Sequence, residues 1–225
     1  MNGSNAYSPQ AVAQSYMQRV YQWMAAGLAI TGFVAYWASG NMPLMRALNS
    51  GLFLLLLLVE FGVVLWLSSQ ALKLSPRAAT AGFLVYSGLN GLTLSYIFLV
   101  YTQASIASTF FIAAGSFAAV SLFGWVTKTD MTSLRGFLFM ALIGFVIASL
   151  VNIFFQSPAF YWILTYAGLA LFIGLTAYDT QKLKQIHMRA EGAPEQLAIL
   201  GALTLYLDFI NMFLLLLRLF GRRRS

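Results

Sequence analysis

The sequence contains no cysteine among its 225 residues. This absence excludes disulfide bonds, thiolate metal sites and cysteine nucleophiles. Charged residues are also scarce, at 8% against roughly 25% in a soluble domain, which excludes an ordinary soluble protein. The only histidine, His187, falls in a predicted surface loop over 185–196. No glycine-rich loop ending in Lys-Ser or Lys-Thr is present, so ATP-driven pumping is not expected.

Long apolar runs make up most of the chain, since 60% of its residues are hydrophobic. A helix needs roughly 20 residues to cross a bilayer. Seven runs have about this length: 20–38, 51–69, 79–101, 106–126, 134–155, 160–181 and 197–220. We therefore expect an all-α integral membrane protein, a bundle of seven transmembrane helices. A polar N-terminal segment (1–19) precedes the predicted membrane domain (20–221), and a basic tail (222–225) follows it.

The basic residues are distributed unevenly between the two ends of these spans. One side carries Arg19, Lys73, Arg77, Lys128, Arg135, Lys182, Lys184 and Arg189. The opposite side carries only Arg46 before the tail. Because basic loops remain in the cytoplasm, the N-terminus is predicted to be cytoplasmic, and the net charge of +7 reflects topology rather than nucleic-acid binding. The arginines at 222–224 oppose this rule if span 7 crosses fully, so the side of the C-terminus stays open.

Three of the six acidic residues lie inside or at the edge of apolar runs: Glu60, Asp179 and Asp208. An Asp at the centre of a span costs about 3 kcal/mol, so intramembrane acids indicate a functional site. Two carboxylates within hydrogen-bond reach repel each other and share one proton, which makes a proton-controlled latch. When ionised, Asp179 and Asp208 also offer weak oxygen ligation to Ca²⁺. No other cofactor is expected.

Polar residues accompany these acids at helical spacing. Thr204 and Asn211 flank Asp208 in span 7, while Asn90 lies in span 3 and Asn152 in span 5. Polar side chains avoid lipid, so we expect these residues to face the interior of the bundle. There they either support the carboxylates or only join helices through hydrogen bonds.

The predicted depths of the acids within the membrane are unequal. At 1.5 Å per residue, Glu60 lies roughly 14 Å and Asp208 roughly 16 Å from the cytoplasmic ends of their spans. Asp179 lies only roughly 7 Å inside Lys184. A pair of Asp179 with Asp208 therefore requires span 6 to protrude from the membrane or span 7 to begin outside it.

Two aspartates on adjacent helices also occur in intramembrane aspartyl proteases. The YD pair at 178–179 matches one half of the presenilin-like pattern. The other half should read Gly-x-Gly-Asp, but the chain has LYLD at 205–208, and the Pro-Ala-Leu motif is missing. We therefore predict no enzymatic activity. A structural alternative is that the acids are paired with Lys182, Lys184 or Arg218 and only hold helices together.

Two runs of this sequence resemble a known family. They are GLTAYDTQKLK at 174–184 and LGALTLYLDFINMFLLLLRLFG at 200–221, and both are similar to the Bax-inhibitor family, also called transmembrane Bax-inhibitor-motif proteins. Further similar runs at 16–28, 91–110 and 140–155 extend the resemblance over nearly the whole chain. The sequence looks most like a bacterial inner-membrane member.

The resemblance implies a seven-helix fold with a central C-terminal helix. It also implies a pH-sensitive Ca²⁺ leak governed by Asp179 and Asp208. From its place in an apolar run, we expect Glu60 to be a weaker third participant nearer the ion path. Some members have a basic residue late in span 2 that latches onto the pair, but this chain has none between Glu60 and Lys73. The alternative function is a non-conducting regulator that binds another membrane protein, such as a protease or stress factor. The sequence does not identify that partner.

Overall fold

The computed structural model describes residues 9–189 and 195–224, apart from the side chains of residues 9–13, 49–50 and 186–189. The helices are α1 (Pro9–Ser39), α2 (Met42–Ala47), α3 (Phe53–Gln70), α4 (Pro76–Leu94), α5 (Ile97–Val100), α6 (Gln103–Val126), α7 (Arg135–Phe155), α8 (Pro158–Arg189) and α9 (Glu195–Phe220). A π-helical turn precedes α3 and a short 3₁₀ turn precedes α7. The structure is 89% helical and has no strand in its described part, so the all-α prediction is confirmed.

Six of the described helices are long and apolar enough to cross a membrane. They include predicted spans 2 to 7, with α4 and α5 together forming one span, Pro76–Val100. Helix α1, which contains the predicted first span, is not among the six, although its 31 residues exceed the required length. The reason is composition, because polar side chains such as Gln22 and Thr31 interrupt its apolar residues. The count of seven spans stays a prediction.

The chain forms two compact units. Unit 1 consists of Met1–Val100 and Leu183–Tyr206, and unit 2 consists of Tyr101–Lys182 and Leu207–Ser225. Helices α8 and α9 each contribute residues to both units.

In unit 1, α1 and α4 cross closely at Gly91. A methyl group at this position would lie 2.8 Å from the Thr31 carbonyl oxygen, so only glycine lets the two backbones approach this far. Beside the crossing, the Thr31 hydroxyl donates to the Ser87 carbonyl oxygen over 2.8 Å. The Tyr206 hydroxyl lies 2.6 Å from the same Thr31 oxygen. Polar groups at this crossing are thus satisfied inside the protein rather than in lipid.

Unit 1 also ties the first helix to the last. The Tyr16 hydroxyl, which precedes the predicted first span, donates to the Leu197 carbonyl oxygen over 3.0 Å. Burial raises the pKa of Tyr16 to about 12, so the phenol keeps its proton at physiological pH. Gly201 of α9 lies against the same side chain, because a methyl group there would be 3.2 Å from the Tyr16 hydroxyl. This contact persists across the pH range in which carboxylates titrate.

In unit 2, α6 and α8 also cross closely. A methyl group at Gly124 would collide with the Ala177 backbone. A methyl group at Gly115, earlier in the same helix, would meet nothing within 4 Å. At the same crossing the Ser121 and Thr180 hydroxyls are 2.8 Å apart. The crossing therefore fixes the part of α8 that carries the predicted acid.

Helix α9 is the most buried of the six candidate spans. Other parts of the protein bury 72% of its most apolar segment, against 6% for that of α7. In unit 2 its Phe209 ring contacts the rings of Phe110 and Phe117 of α6 edge to face, at centroid distances of 5.5 and 5.6 Å. The exposed apolar surface of α7 is what a helix against lipid tails presents.

The connection between α8 and α9 is shorter than predicted. Helix α8 continues to Arg189, so the first part of the expected 185–196 loop, including His187, has helical backbone. Helix α9 already begins at Glu195. Helix α8 thus continues beyond its apolar segment, because polar residues such as Lys, Gln and Arg also have high helix propensity. Residues 190–194 lie outside the described part of the chain.

Candidate functional site

Asp208 lies on α9 within unit 2, and only 5% of its surface is exposed. Its Oδ2 atom is buried and has no hydrogen-bond partner among the described residues. A buried acceptor without a donor costs about 1–3 kcal/mol, and a charged one costs more. Proteins leave few such groups unsatisfied, so each one calls for an explanation.

Asp179 lies on α8, also within unit 2, with 8% of its surface exposed. The charge of Asp179 acts on the Asp208 carboxyl. Two buried acids, on α8 and α9 of unit 2, therefore form the candidate site. Their pairing through a shared proton stays a prediction.

Lys182 lies beside Asp179. Lys182 Nζ lies 3.9 Å from Asp179 Oδ1, three residues further along α8. The lysine side chain is 47% exposed. Helical ion pairs of this spacing contribute about 0.2–0.5 kcal/mol, less than burial of a carboxylate costs. The ion pair of Lys182 with Asp179 is weak, and Asp208 Oδ2 has no hydrogen-bond partner among the described residues.

The length of α8 permits one of the arrangements that the unequal predicted depths require. The helix has 32 residues, which corresponds to roughly 48 Å at 1.5 Å per residue. The hydrocarbon core of a bilayer is only about 30 Å thick. Helix α8 is therefore long enough to protrude, which is one of the two arrangements that a pair of Asp179 with Asp208 requires.

Hydrogen bonds of Gln181 also hold α8 in place close to Asp179. Gln181 Nε2 donates to the Thr129 carbonyl oxygen, and Gln181 Oε1 accepts from the Met131 N–H, each over 2.9 Å. These bonds tie α8 to the turn after α6 and so limit rotation of the helix beside Asp179. Sequence reasoning missed Gln181 and Thr180, because their partners are distant in the chain. The only signal was their position directly after the acid.

Glu60 lies on α3 in unit 1 and is also buried. Asn90 Nδ2 donates a short hydrogen bond to its Oε1 atom, and the Thr93 hydroxyl donates to Oε2 over 2.6 Å. The predicted Asn90 therefore supports Glu60. Thr93 was not among the predicted site residues, although it follows Asn90 by three positions and so shares its helix face. Asn90 Oδ1 is buried and has no partner among the described residues.

The other predicted supporting residues do not contact the acids through the hydrogen bonds that the structure shows. Thr204 and Asn211 bond within α9, and Asn152 is only half-buried. The Thr204 hydroxyl donates to the Leu200 carbonyl oxygen over 3.0 Å, and Asn211 Nδ2 donates to the Leu207 carbonyl oxygen over 2.8 Å. Asn152 is half-buried on α7, and its Oδ1 atom lacks a partner in the described part of the chain. Neither Thr204 nor Asn211 makes these bonds to a carboxylate or to another helix.

The described residues include no group of three or more His, Cys, Asp or Glu side chains arranged to hold a metal ion. What unit 2 offers a cation is the Asp179 and Asp208 pair. Two adjacent acids can exchange a shared proton, and in the ionised state they attract a divalent cation. The arrangement is therefore suited to coupling a proton to an ion.

Long apolar helices and buried acids define an integral membrane protein of the all-helical class. The chain matches a family model described as "Inhibitor of apoptosis-promoting Bax1" over residues 13–225. It therefore belongs to the Bax inhibitor family, as the resemblance predicted.

Three bacterial relatives extend over almost the whole chain. The inner membrane protein YbhL of Escherichia coli K12 is 52% identical over 222 residues, which cover 96% of this chain and 95% of the relative. An uncharacterized protein of Borreliella burgdorferi is 41% identical, with coverage of 95% and 94%. The uncharacterized protein RP147 of Rickettsia prowazekii is 40% identical, with coverage of 93% and 90%.

Proposed function

We propose that this protein is a passive, pH-sensitive cation leak with Ca²⁺ as its principal substrate, and that Asp179 and Asp208 form its gate. The observation that carries the proposal is the Asp208 carboxylate. Its buried Oδ2 atom has no hydrogen-bond partner among the described residues, and the charge of Asp179 acts on the same group. An acid in this position gains a partner when the pair shares a proton.

The two protonation states of the pair have different consequences. With one proton, a carboxylic acid on one helix donates to the carboxylate on the other and holds α8 and α9 together. Without it, two negative charges repel each other and attract a divalent cation. Ca²⁺ takes six to eight oxygens, so a passing ion retains most of its water at this pair. Weak binding suits conduction, because an ion must also leave.

Glu60 is the third and weaker participant. Both of its oxygens already accept hydrogen bonds from Asn90 and Thr93. A carboxylate with two donors has less to gain from a proton than one without donors. Its role is therefore to contribute negative charge near the ion path rather than to open or close that path.

Liposomes loaded with a Ca²⁺ dye test the leak and the gate separately. Wild-type protein should conduct above empty liposomes, with a flux that changes between about pH 5 and 8. The Asp179→Asn, Asp208→Asn double variant should fold, because Asn keeps the volume, but its flux should no longer depend on pH. Asp130→Asn, in the exposed turn after α6, is the control and should behave like wild type.

Two outcomes would contradict the proposal. Wild-type flux equal to that of empty liposomes at every pH would refute the leak and favour a non-conducting regulator bound to another membrane protein. A double variant with the wild-type pH curve would refute the aspartate gate while leaving the leak intact.

We also propose that α1 is the first of seven spans, that α9 lies at the centre of the bundle, and that the N-terminus is cytoplasmic in the inner membrane. Support comes from the length of α1, the 72% burial of the apolar segment of α9 and the unequal loop charges. Reporter fusions after Lys128 and Gln156 should report the cytoplasm and the outer side, respectively. The same side for both would refute this topology.

A further inference from the structure

The C-terminal tail is fastened to the connection between α5 and α6. The Arg222 carbonyl oxygen accepts from the Thr102 N–H over 3.0 Å, and the Arg222 N–H donates to Ser105 Oγ over 2.8 Å. Arg223 and Tyr101 form an isolated antiparallel bridge. The contacts of Arg222 use backbone atoms of the tail. These backbone hydrogen bonds therefore hold the tail in place and do not involve the Arg222 guanidinium group.

Gly221 makes this close contact possible. A methyl group there would lie 2.6 Å from the Tyr101 ring and would also collide with the Leu217 carbonyl oxygen. The chain can thus turn directly from the end of α9 against the α5–α6 connection. This turn is therefore part of the close packing of unit 2.

Four arginines lie at the end of α9 and in the tail, and we call them the arginine cap: Arg218, Arg222, Arg223 and Arg224. All four residues are exposed. The Arg218 guanidinium lies over the Tyr161 ring, 5.3 Å from its centroid. The charges of Arg218 and Arg223 both act on the Tyr101 hydroxyl. Two helix ends and the tail therefore meet at one basic surface.

The segments that meet at this surface contain no acidic side chain. They are the connections 101–102 and 156–157 and residues 221–224 after α9. The acids of unit 2 are Asp130, Asp179 and Asp208, which lie in the turn after α6 or within α8 and α9. The side chains of the cap thus present a net positive charge.

An aromatic group borders the cap. Trp162 contacts Tyr161 at a centroid distance of 5.7 Å and stacks on Tyr166 at 6.2 Å. Trp162 and Tyr166 are exposed. Exposed Trp and Tyr rings favour the headgroup layer of a bilayer. This aromatic border favours a position of the cap near the headgroup layer.

The number of membrane crossings agrees with a tail that lies on the same side as the 101–102 connection. The candidate spans of α6, α7, α8 and α9 separate the 101–102 connection from the tail, and an even number of crossings returns the chain to the same side. The hydrogen bond between Thr102 and Arg222 requires that same result. In the proposed orientation this is the outer side of the membrane.

We infer that the arginine cap binds the phosphate groups of anionic phospholipids in the leaflet that faces the C-terminus. Guanidinium groups bind phosphate oxygens through paired, charge-assisted hydrogen bonds. The N-terminus of α6 begins beside the tail and adds partial positive charge. Basic side chains near an anionic surface each add to the attraction. Bound lipid would hold the end of α9, the helix that carries Asp208.

Because the chain has no cysteine, a single fluorophore can be attached at a chosen residue. The exposed Gln103, beside the cap, is changed to Cys and labelled, and the protein is placed in phosphatidylcholine nanodiscs. Trace phosphatidylglycerol or trace phosphatidylcholine, each with a nitroxide near the carbonyl of one acyl chain, is then added as a quencher. We expect several-fold stronger quenching by phosphatidylglycerol, and high salt should remove the difference.

The variant is Arg222→Gln, Arg223→Gln, Arg224→Gln, which keeps the backbone contacts of the tail and should quench equally with both lipids. The corresponding triple Lys variant should retain most of the difference. The matched control removes three charges elsewhere, as Arg19→Gln, Lys73→Gln, Arg77→Gln, and should leave quenching at position 103 as in wild type. A second label at Thr129→Cys, in the turn after α6, should report no change in the tail variant.

Equal quenching by the two lipids in the wild-type tail would overturn the inference. Preference that survives in the triple Gln variant would overturn it as well, since the cap would not be the cause. Loss of the preference on addition of inorganic phosphate, at matched ionic strength, would show a site for free phosphate instead of lipid.

Discussion

Units 1 and 2 each bury acids on membrane helices, but the two units differ in the hydrogen-bond donors that they supply to those acids. In unit 1, both oxygens of Glu60 accept hydrogen bonds from Asn90 and Thr93. In unit 2, Asp208 Oδ2 has no donor among the described residues, and the group whose charge acts on it is a second acid. Burial alone therefore does not distinguish the proposed gate from Glu60. The difference between the two units is whether the protein supplies hydrogen-bond donors to the buried acid.

The largest expected effect comes from removing one acid in each unit. Asp208→Asn should move the midpoint of the pH–flux curve by about one pH unit or more, or flatten the curve, because the repulsion within the pair is gone. Glu60→Gln should change the midpoint far less, since its neighbours already stabilise the carboxylate. Dye-loaded liposomes measure both curves. A larger shift from Glu60→Gln than from Asp208→Asn would reverse the comparison.

A smaller effect should follow from changes in backbone spacing. Gly124→Ala forces α6 and α8 apart beside Asp179 and should destabilise the protein by about 1–3 kcal/mol while also altering the pH–flux curve. Gly91→Ala, at the α1–α4 crossing of unit 1, should cost a similar amount but leave the shape of the curve unchanged. Thermal unfolding in detergent and the flux assay provide the two measurements.

Each glycine variant has a control in its own helix. A methyl group at Gly115 of α6 or at Gly88 of α4 meets nothing within 4 Å, so these Ala variants should be neutral or slightly stabilising. If Gly115→Ala were as harmful as Gly124→Ala, the close crossing would not be the cause.

The smallest effects concern the hydrogen bonds themselves. Glu60→Met keeps the shape of the side chain but leaves the donors of Asn90 and Thr93 unpaired, so it should cost about 1–2 kcal/mol. Asp208→Leu removes Oδ2, an acceptor that has no donor among the described residues, so it should cost less or stabilise the protein. Unfolding midpoints at neutral pH compare the two variants. Equal losses would mean that Asp208 has a donor after all.

The sequence was informative about which acids are buried and much less so about what surrounds them. Glu60, Asp179 and Asp208 are evident from any hydropathy pattern, because a carboxylate within an apolar run is rare and costly. The spacing of Thr93 to Asn90 predicts that both lie on one interior face of α4, although not that they bind Glu60. No such spacing predicts the contacts of Gln181, because its partners are backbone atoms in a distant turn.

The length of α8 and the packing of Gly124 show the same difference between what the sequence predicts and what it does not. The apolar run of span 6 ends near residue 181, but α8 continues to Arg189, because hydropathy marks where lipid ends and not where a helix ends. Gly124 looks like any other glycine in a span, and only the position of Ala177 against it shows why a side chain is excluded. Such contacts depend on how two helices cross, which their separate sequences do not encode.

By itself, the sequence determined the helical class, the membrane environment, the family and the identity of the buried acids, because each follows from the composition of a continuous run of residues. Only the tertiary structure decided which acid is satisfied and which is not. That difference depends on whether a donor on another helix lies within about 3 Å of a carboxylate oxygen, and a donor's distance is a property of packing. Glu60 has such donors on α4, and Asp208 Oδ2 has none among the described residues.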